Sequence, residues 1–156
     1  MSRSFSAGSY TFDDFAQGDR FVTPGASMTE AQIVDFALMF DPQPFHIDRE
    51  AAARSMYGGI IASGFHTLSF CFRLVMAAGV LNDCNLGGNQ LDEVKFLKPV
   101  KPSDTLRVEC TFEQLRVSAS KPSMGIAKIR YRASNQQGEE VLSLLVTHLI
   151  KRRATD

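Results

Sequence analysis

Apolar positions recur along this chain at two different spacings. From Ile33 to Met76 they follow a helical period, and from Leu91 to Ile150 they alternate. Ser27, followed three residues later by Glu30, predicts a capping box, after which Ile33, Phe36, Ala37 and Phe40 share a helix face. Asp41-Pro42 ends that helix, because the residue before a proline is pushed out of the helical region. A second helix is expected over Arg49–Met56, with Asp48 as N-cap and Gly58-Gly59 as stop. A third runs from Gly64 to Ala78 and stops at Gly79. Phe65, Leu68, Phe70, Cys71, Phe72, Leu74, Val75 and Met76 leave this third helix almost no polar face, so burial on several sides is expected.

The period-two half predicts strands at Leu91–Leu97, Thr105–Leu115, Ile126–Ala133 and Val141–Ile150. Lys128, Arg130 and Arg132 alternate with Ile129, Tyr131 and Ala133, giving one wet and one dry face. Asn135–Gly138 supplies a hairpin turn, and Arg20–Thr23 reads as a further short strand. Helices first and antiparallel strands afterwards predict an α+β domain whose sheet wraps the apolar helix. Residues 1–9 read as a flexible tail, and residues 10–152 as one domain.

Composition narrows the function. The 156 residues carry 17 basic and 17 acidic side chains, which argues against bulk attraction to nucleic acid. No apolar run reaches the ~18 residues of a membrane span, and the N-terminus lacks the apolar core of a signal peptide. The neutral total hides an asymmetry. Residues 1–94 hold 5 basic and 11 acidic groups, and residues 95–132 hold 9 and 3. Lys95, Lys98, Lys101, Lys128, Arg130 and Arg132 are therefore candidates for a positive face. Cys71, Cys84 and Cys110 are odd in number and show no CxxC spacing, so buried free thiols in a reducing cytoplasm are expected.

The densest chemistry lies in DPQPFHID, Asp41 to Asp48. Two prolines stiffen the bend, and a carboxylate and an imidazole on a stiff loop can hold one water between them. The same spacing also fits a surface turn with a capping Asp41 and a solvated His46. The second feature is GGIIASGFHT, Gly58 to Thr67, where Ser63-Gly64 opens the apolar helix. A helix N-terminus presents free N–H groups and a partial positive charge, which suits a developing oxyanion. Ser63 also reads simply as an N-cap, and the two roles are compatible. His66 and His148 read as packing residues. Dinucleotide, P-loop, zinc-protease and serine-hydrolase signatures are absent.

These segments resemble the MaoC-like acyl dehydratases, the family that includes (R)-specific enoyl-CoA hydratases. FDDFAQGDRFVTPG resembles the family's opening, DPQPFHID its Asp-x-Asn-Pro-x-His-x-Asp motif, ASGFHT its central-helix start and VKFLKPVKPSDTL its strand-turn-strand. The resemblance implies a dimeric hot-dog fold and reversible syn hydration of a 2-enoyl thioester to the (R)-3-hydroxyacyl form. Asp41 and His46 would then be the catalytic pair. Gly64 would supply the oxyanion N–H, and Ser63, Gln43 and Phe65 would line the substrate site. Gln43 stands where the family motif has Asn, and Met39-Phe40 where many hydratases have Ser-Gly. No metal or redox cofactor is implied. The partners are an acyl thioester on coenzyme A or acyl carrier protein and a second copy of the chain. A hot-dog thioesterase and a non-catalytic acyl-binding subunit are the competing readings.

Overall fold

The structure, a computed structural model, describes residues 1–154. Strand β1 is Ser4–Phe5, β2 Arg20–Val22, β3 Ala26–Ser27, β4 Asn85–Phe96, β5 Thr105–Val117, β6 Met124–Ser134 and β7 Glu140–Lys151. Helix α1 is Glu30–Phe40, α2 Pro44–Ile47, α3 Arg49–Arg54 and α4 Gly64–Ala77. The strands form one seven-stranded sheet in the order β1-β2-β5-β6-β7-β4, with β3 paired to β5 off that path. All pairings are antiparallel except β1 with β2. This is the expected α+β architecture.

The two faces of the sheet follow the alternation. Ile129 and Tyr131 of β6, with Leu142, Leu144 and Ile150 of β7, point to the core and are buried. They pack with Phe70, Cys71, Leu74 and Val75 of α4 into one core. The outer face carries the charged residues of β6, yet its positive field is partly neutralised. Arg130 pairs with Glu113 at 2.9 Å and Glu93 at 2.6 Å, and Lys98 pairs with Glu139. Burial pushes the Cys71 thiol up to about 12 and Cys84 to about 11, so both are inert at neutral pH. All three cysteines are free and buried.

Several local expectations shift. Helix α1 starts later than Ser27: its N-cap is Thr29, whose hydroxyl accepts from Gln32 N–H while Gln32 Oε1 accepts from Thr29 N–H. Met28 is fully buried, so the chain reaches the core before the helix begins, and Ser27 instead meets Thr105 from β3. The second expected helix keeps its Asp48 cap and its start at Arg49 but closes at Arg54, and a short helix that was not expected, α2, precedes it. Residues 1–9, read as a loose tail, contribute β1 and an Arg3–Asp19 ion pair at 2.6 Å. Helix α4 is less enclosed than its composition implies, since Phe65 and Phe72 are exposed. It ends as expected, with Gly79 in the left-handed region at φ 71°. Strand β4 begins at Asn85 rather than Leu91 and shifts register three times, which is why strict alternation fails to mark it.

Candidate active site

Asp41 is the C-cap residue of α1, and its backbone N–H still bonds Ala37 carbonyl at 2.9 Å. Gln43 is the N-cap of α2 and Pro44 its first residue, the position where a missing N–H costs nothing. One turn on, α2 presents His46, which is 3% exposed. Asp48 then caps α3, accepting from the N–H groups of Glu50 and Ala51 at 2.8 and 3.1 Å. Asp48 is thus occupied by the backbone, whereas Asp41 and His46 are turned toward each other.

The geometry of that pair is specific. His46 Nδ1 lies 2.7 Å from Ile61 carbonyl oxygen, and a carbonyl only accepts, so the proton sits on Nδ1. This leaves Nε2 facing Asp41 Oδ2 at 3.3 Å. A neutral imidazole then sets two acceptors face to face, an arrangement that calls for a shared proton or for a water that bridges both from the cleft side. Asp41 is held from two further sides. Ser63 Oγ donates to Oδ2 at 2.7 Å and Gln43 Nε2 donates to Oδ1 at 2.8 Å. The Ser63 hydrogen bond holds the Asp41 carboxyl below its ordinary value against the opposing effect of burial, and Gln43 and His46 reinforce it.

Ser63 also caps α4, accepting from Phe65 N–H at 3.3 Å. Among the described residues the Gly64 N–H donates to no acceptor, the usual condition of a first helical turn. The free end of α4 and the Asp41–His46 pair open into one cleft of about 580 Å³. Gln43, Phe65, Thr67, Phe96 and Val100 line it. The structure therefore brings together every residue singled out from sequence: Asp41, Gln43, His46, Ser63, Gly64 and Phe65. Two groups were not foreseen. Ile61 acts through its carbonyl, which no side-chain pattern reveals. Phe96 lies against Gly64, and a β-bulge hides its inward direction. No three His, Cys, Asp or Glu side chains among the described residues stand close enough to share a metal ion.

The other two histidines lie outside this cleft chemistry. His66 stacks on Phe36 with centroids 4.5 Å apart, and burial lowers its pKa. His148 is fully buried, with Nε2 2.6 Å from Tyr131 hydroxyl and Nδ1 3.0 Å from Asn85 Oδ1.

A family model described as a MaoC like domain matches residues 14–131, ending within β6. The chain belongs to the MaoC-like dehydratase family. Among curated relatives, the Uncharacterized protein YdeM of Bacillus subtilis is 34% identical over 140 residues, covering 90% of this chain and 98% of the relative. Among solved structures, the MaoC-like dehydratase from Rhodospirillum rubrum is 35% identical with a TM-score of 0.87, covering 94% of this chain and 100% of that one. The (R)-hydratase from A. caviae involved in PHA biosynthesis shares the fold at 21% identity, with a TM-score of 0.68 over 89% of this chain and 98% of that one. The fold shared with these structures is the hot-dog fold. No helix of the described residues is long and apolar enough to cross a membrane.

Proposed function

We propose that this MaoC-like protein hydrates a 2-enoyl thioester reversibly to the (R)-3-hydroxyacyl thioester. One observation carries the reading: Asp41 and His46 face each other at 3.3 Å in the cleft that also receives the free end of α4. The thioester carbonyl accepts from Gly64 N–H, so enolate charge develops at a helix N-terminus. A water held by Asp41 Oδ2 and His46 Nε2 attacks the β-carbon. The pair takes one proton from that water and returns one to the α-carbon on the same face, so the sum is addition of water. Ile61 fixes the His46 tautomer, Ser63 and Gln43 fix the carboxylate, and Phe65 lines the acyl path. The thioester is carried by coenzyme A or acyl carrier protein, and the chemistry calls on no metal or redox cofactor.

The sheet edge supports a second copy of the chain as a partner. β4 is a twelve-residue edge strand bearing exposed Leu86, Leu91 and Phe96, with exposed Leu97 just beyond its end, beside exposed Phe65 and Phe72 of α4. A long apolar edge of this kind needs a cover, and a second copy of the chain supplies one. The three free thiols suit a reducing cytoplasm. Incubation with crotonyl-CoA and with saturated acyl-CoAs tests the reaction. Loss of enoyl absorbance without free thiol supports hydration. Free thiol from either substrate identifies a thioesterase instead.

A further inference from the structure

Phe96 stands out because nothing in the strand pattern aims it at the site. On strict alternation from Leu91, which lies on the α4 side of the sheet opposite Val146, residues 93, 95 and 97 would also point to that side. The register shift between Asp92 and Lys95 inserts one extra residue, so Lys95 faces out opposite Ser143 and Phe96 faces in opposite Leu142. The bulge has a visible cost: Glu93 sits at φ 51°, a region that L residues avoid. It is also pinned, since Glu93 pairs with Arg130 at 2.6 Å on the outer face.

The side chain delivered by this bulge rests on Gly64. A Cβ built on Gly64 would meet the tip of the Phe96 ring at 2.9 Å, closer than packed carbons approach. The absence of a side chain at residue 64 and the ring at residue 96 are thus two halves of one fit. Gly64 is also the residue whose N–H is free at the cleft.

We propose that Phe96 is the specificity-determining wall for the α-carbon of the substrate. This rests on the hydratase reading above. If Gly64 N–H holds the thioester carbonyl, a ring packed on Gly64 flanks the groups attached to that carbonyl carbon. One of them is the sulfur, which carries the same pantetheine arm in every substrate. The other is the α-carbon, where substrates differ by hydrogen or methyl. The wall therefore discriminates α-unsubstituted from α-methyl enoyl thioesters and is indifferent to the far end of the acyl chain.

The test compares kcat/KM for crotonyl-CoA and for tiglyl-CoA, its 2-methyl analogue, in the wild type, Phe96→Leu and Phe96→Ala. The wild type prefers crotonyl-CoA. Phe96→Ala raises the tiglyl-to-crotonyl ratio by at least ~10-fold, the scale of one methyl group in an apolar pocket, and Phe96→Leu falls between. Phe96→Leu keeps an apolar residue at this strand end and carries the comparison if the alanine variant does not fold. A ratio unchanged in the variants, with crotonyl-CoA still hydrated, overturns the proposal and leaves the hydratase reading intact. A wild type that favours tiglyl-CoA also overturns it. A folded wild type that hydrates neither substrate overturns the hydratase reading itself.

Discussion

His46 and His148 occupy nearly the same physical situation and face opposite fates. Both are buried, at 3% and 0% exposure. Both carry the proton on Nδ1 and donate it to a fixed oxygen, the Ile61 carbonyl for one and Asn85 Oδ1 for the other. The difference is at Nε2. His148 Nε2 accepts from the Tyr131 hydroxyl inside a closed core, where burial pushes the imidazole down to about 4 and holds the phenol proton well beyond neutrality. His46 Nε2 instead meets a carboxylate at the wall of an open cleft. Burial alone does not make a histidine reactive. The second partner, and access for a water and a substrate, decide between a proton-transfer group and a structural one.

That contrast breaks most sharply at the pair itself. Asp41→Asn and His46→Ala are each expected to cut hydratase turnover at least ~100-fold, with near-UV circular dichroism unchanged. Replacing His148 by Gln should leave turnover within a few-fold and act on stability instead. The sign follows from the depressed imidazole pKa. Between about 6.5 and about 4 the unfolded chain binds a proton that the folded chain refuses, so stability falls as pH falls through that window. The full window corresponds to roughly 3 kcal/mol. Melting temperatures at pH 7 and pH 4.5 check this: the wild type loses more on acidification than His148→Gln, which lacks the titrating group.

A smaller effect is expected at Ser63. Removing its hydroxyl in Ser63→Ala takes away the leading hydrogen bond that depresses the Asp41 carboxyl. The acidic limb of the rate profile should move to higher pH, and turnover at neutrality should drop about tenfold, the scale of one hydrogen bond to a charged group. Gln43→Asn removes one methylene from the other carboxylate holder. A change of only a few-fold in KM and kcat, read by steady-state kinetics, is the smallest effect expected.

The same contrast explains what could be read along the chain. Asp41 and His46 are legible because they lie five residues apart on a segment that two prolines stiffen, so their meeting is a local event. Ser63 is legible as a cap, but its hydrogen bond to Asp41 spans 22 residues and depends on how α4 docks under α1. The third tie, Ile61 carbonyl to His46, is backbone chemistry and leaves no mark on residue choice. Strands β5, β6 and β7 follow the period of two closely enough to give the sheet, and the Asn135 turn closes as expected, with Gly138 at φ 77°. β4 does not, because each of its register shifts swaps inside for outside, and Phe96 is hidden with it. His148 reads as a packing residue and lies fully buried between Tyr131 and Asn85, which come to it from different strands.

In the proposed reaction Asp41 and His46 deliver one water to one face of a 2-enoyl thioester held at Gly64. Hydration of crotonyl-CoA in D2O, followed by stereochemical analysis of the product, tests it most directly. The expected product is (R)-3-hydroxybutyryl-CoA carrying a single deuterium at the α-carbon, added syn to the hydroxyl. An (S) product, anti addition, or free coenzyme A with no hydroxyacyl product would contradict it.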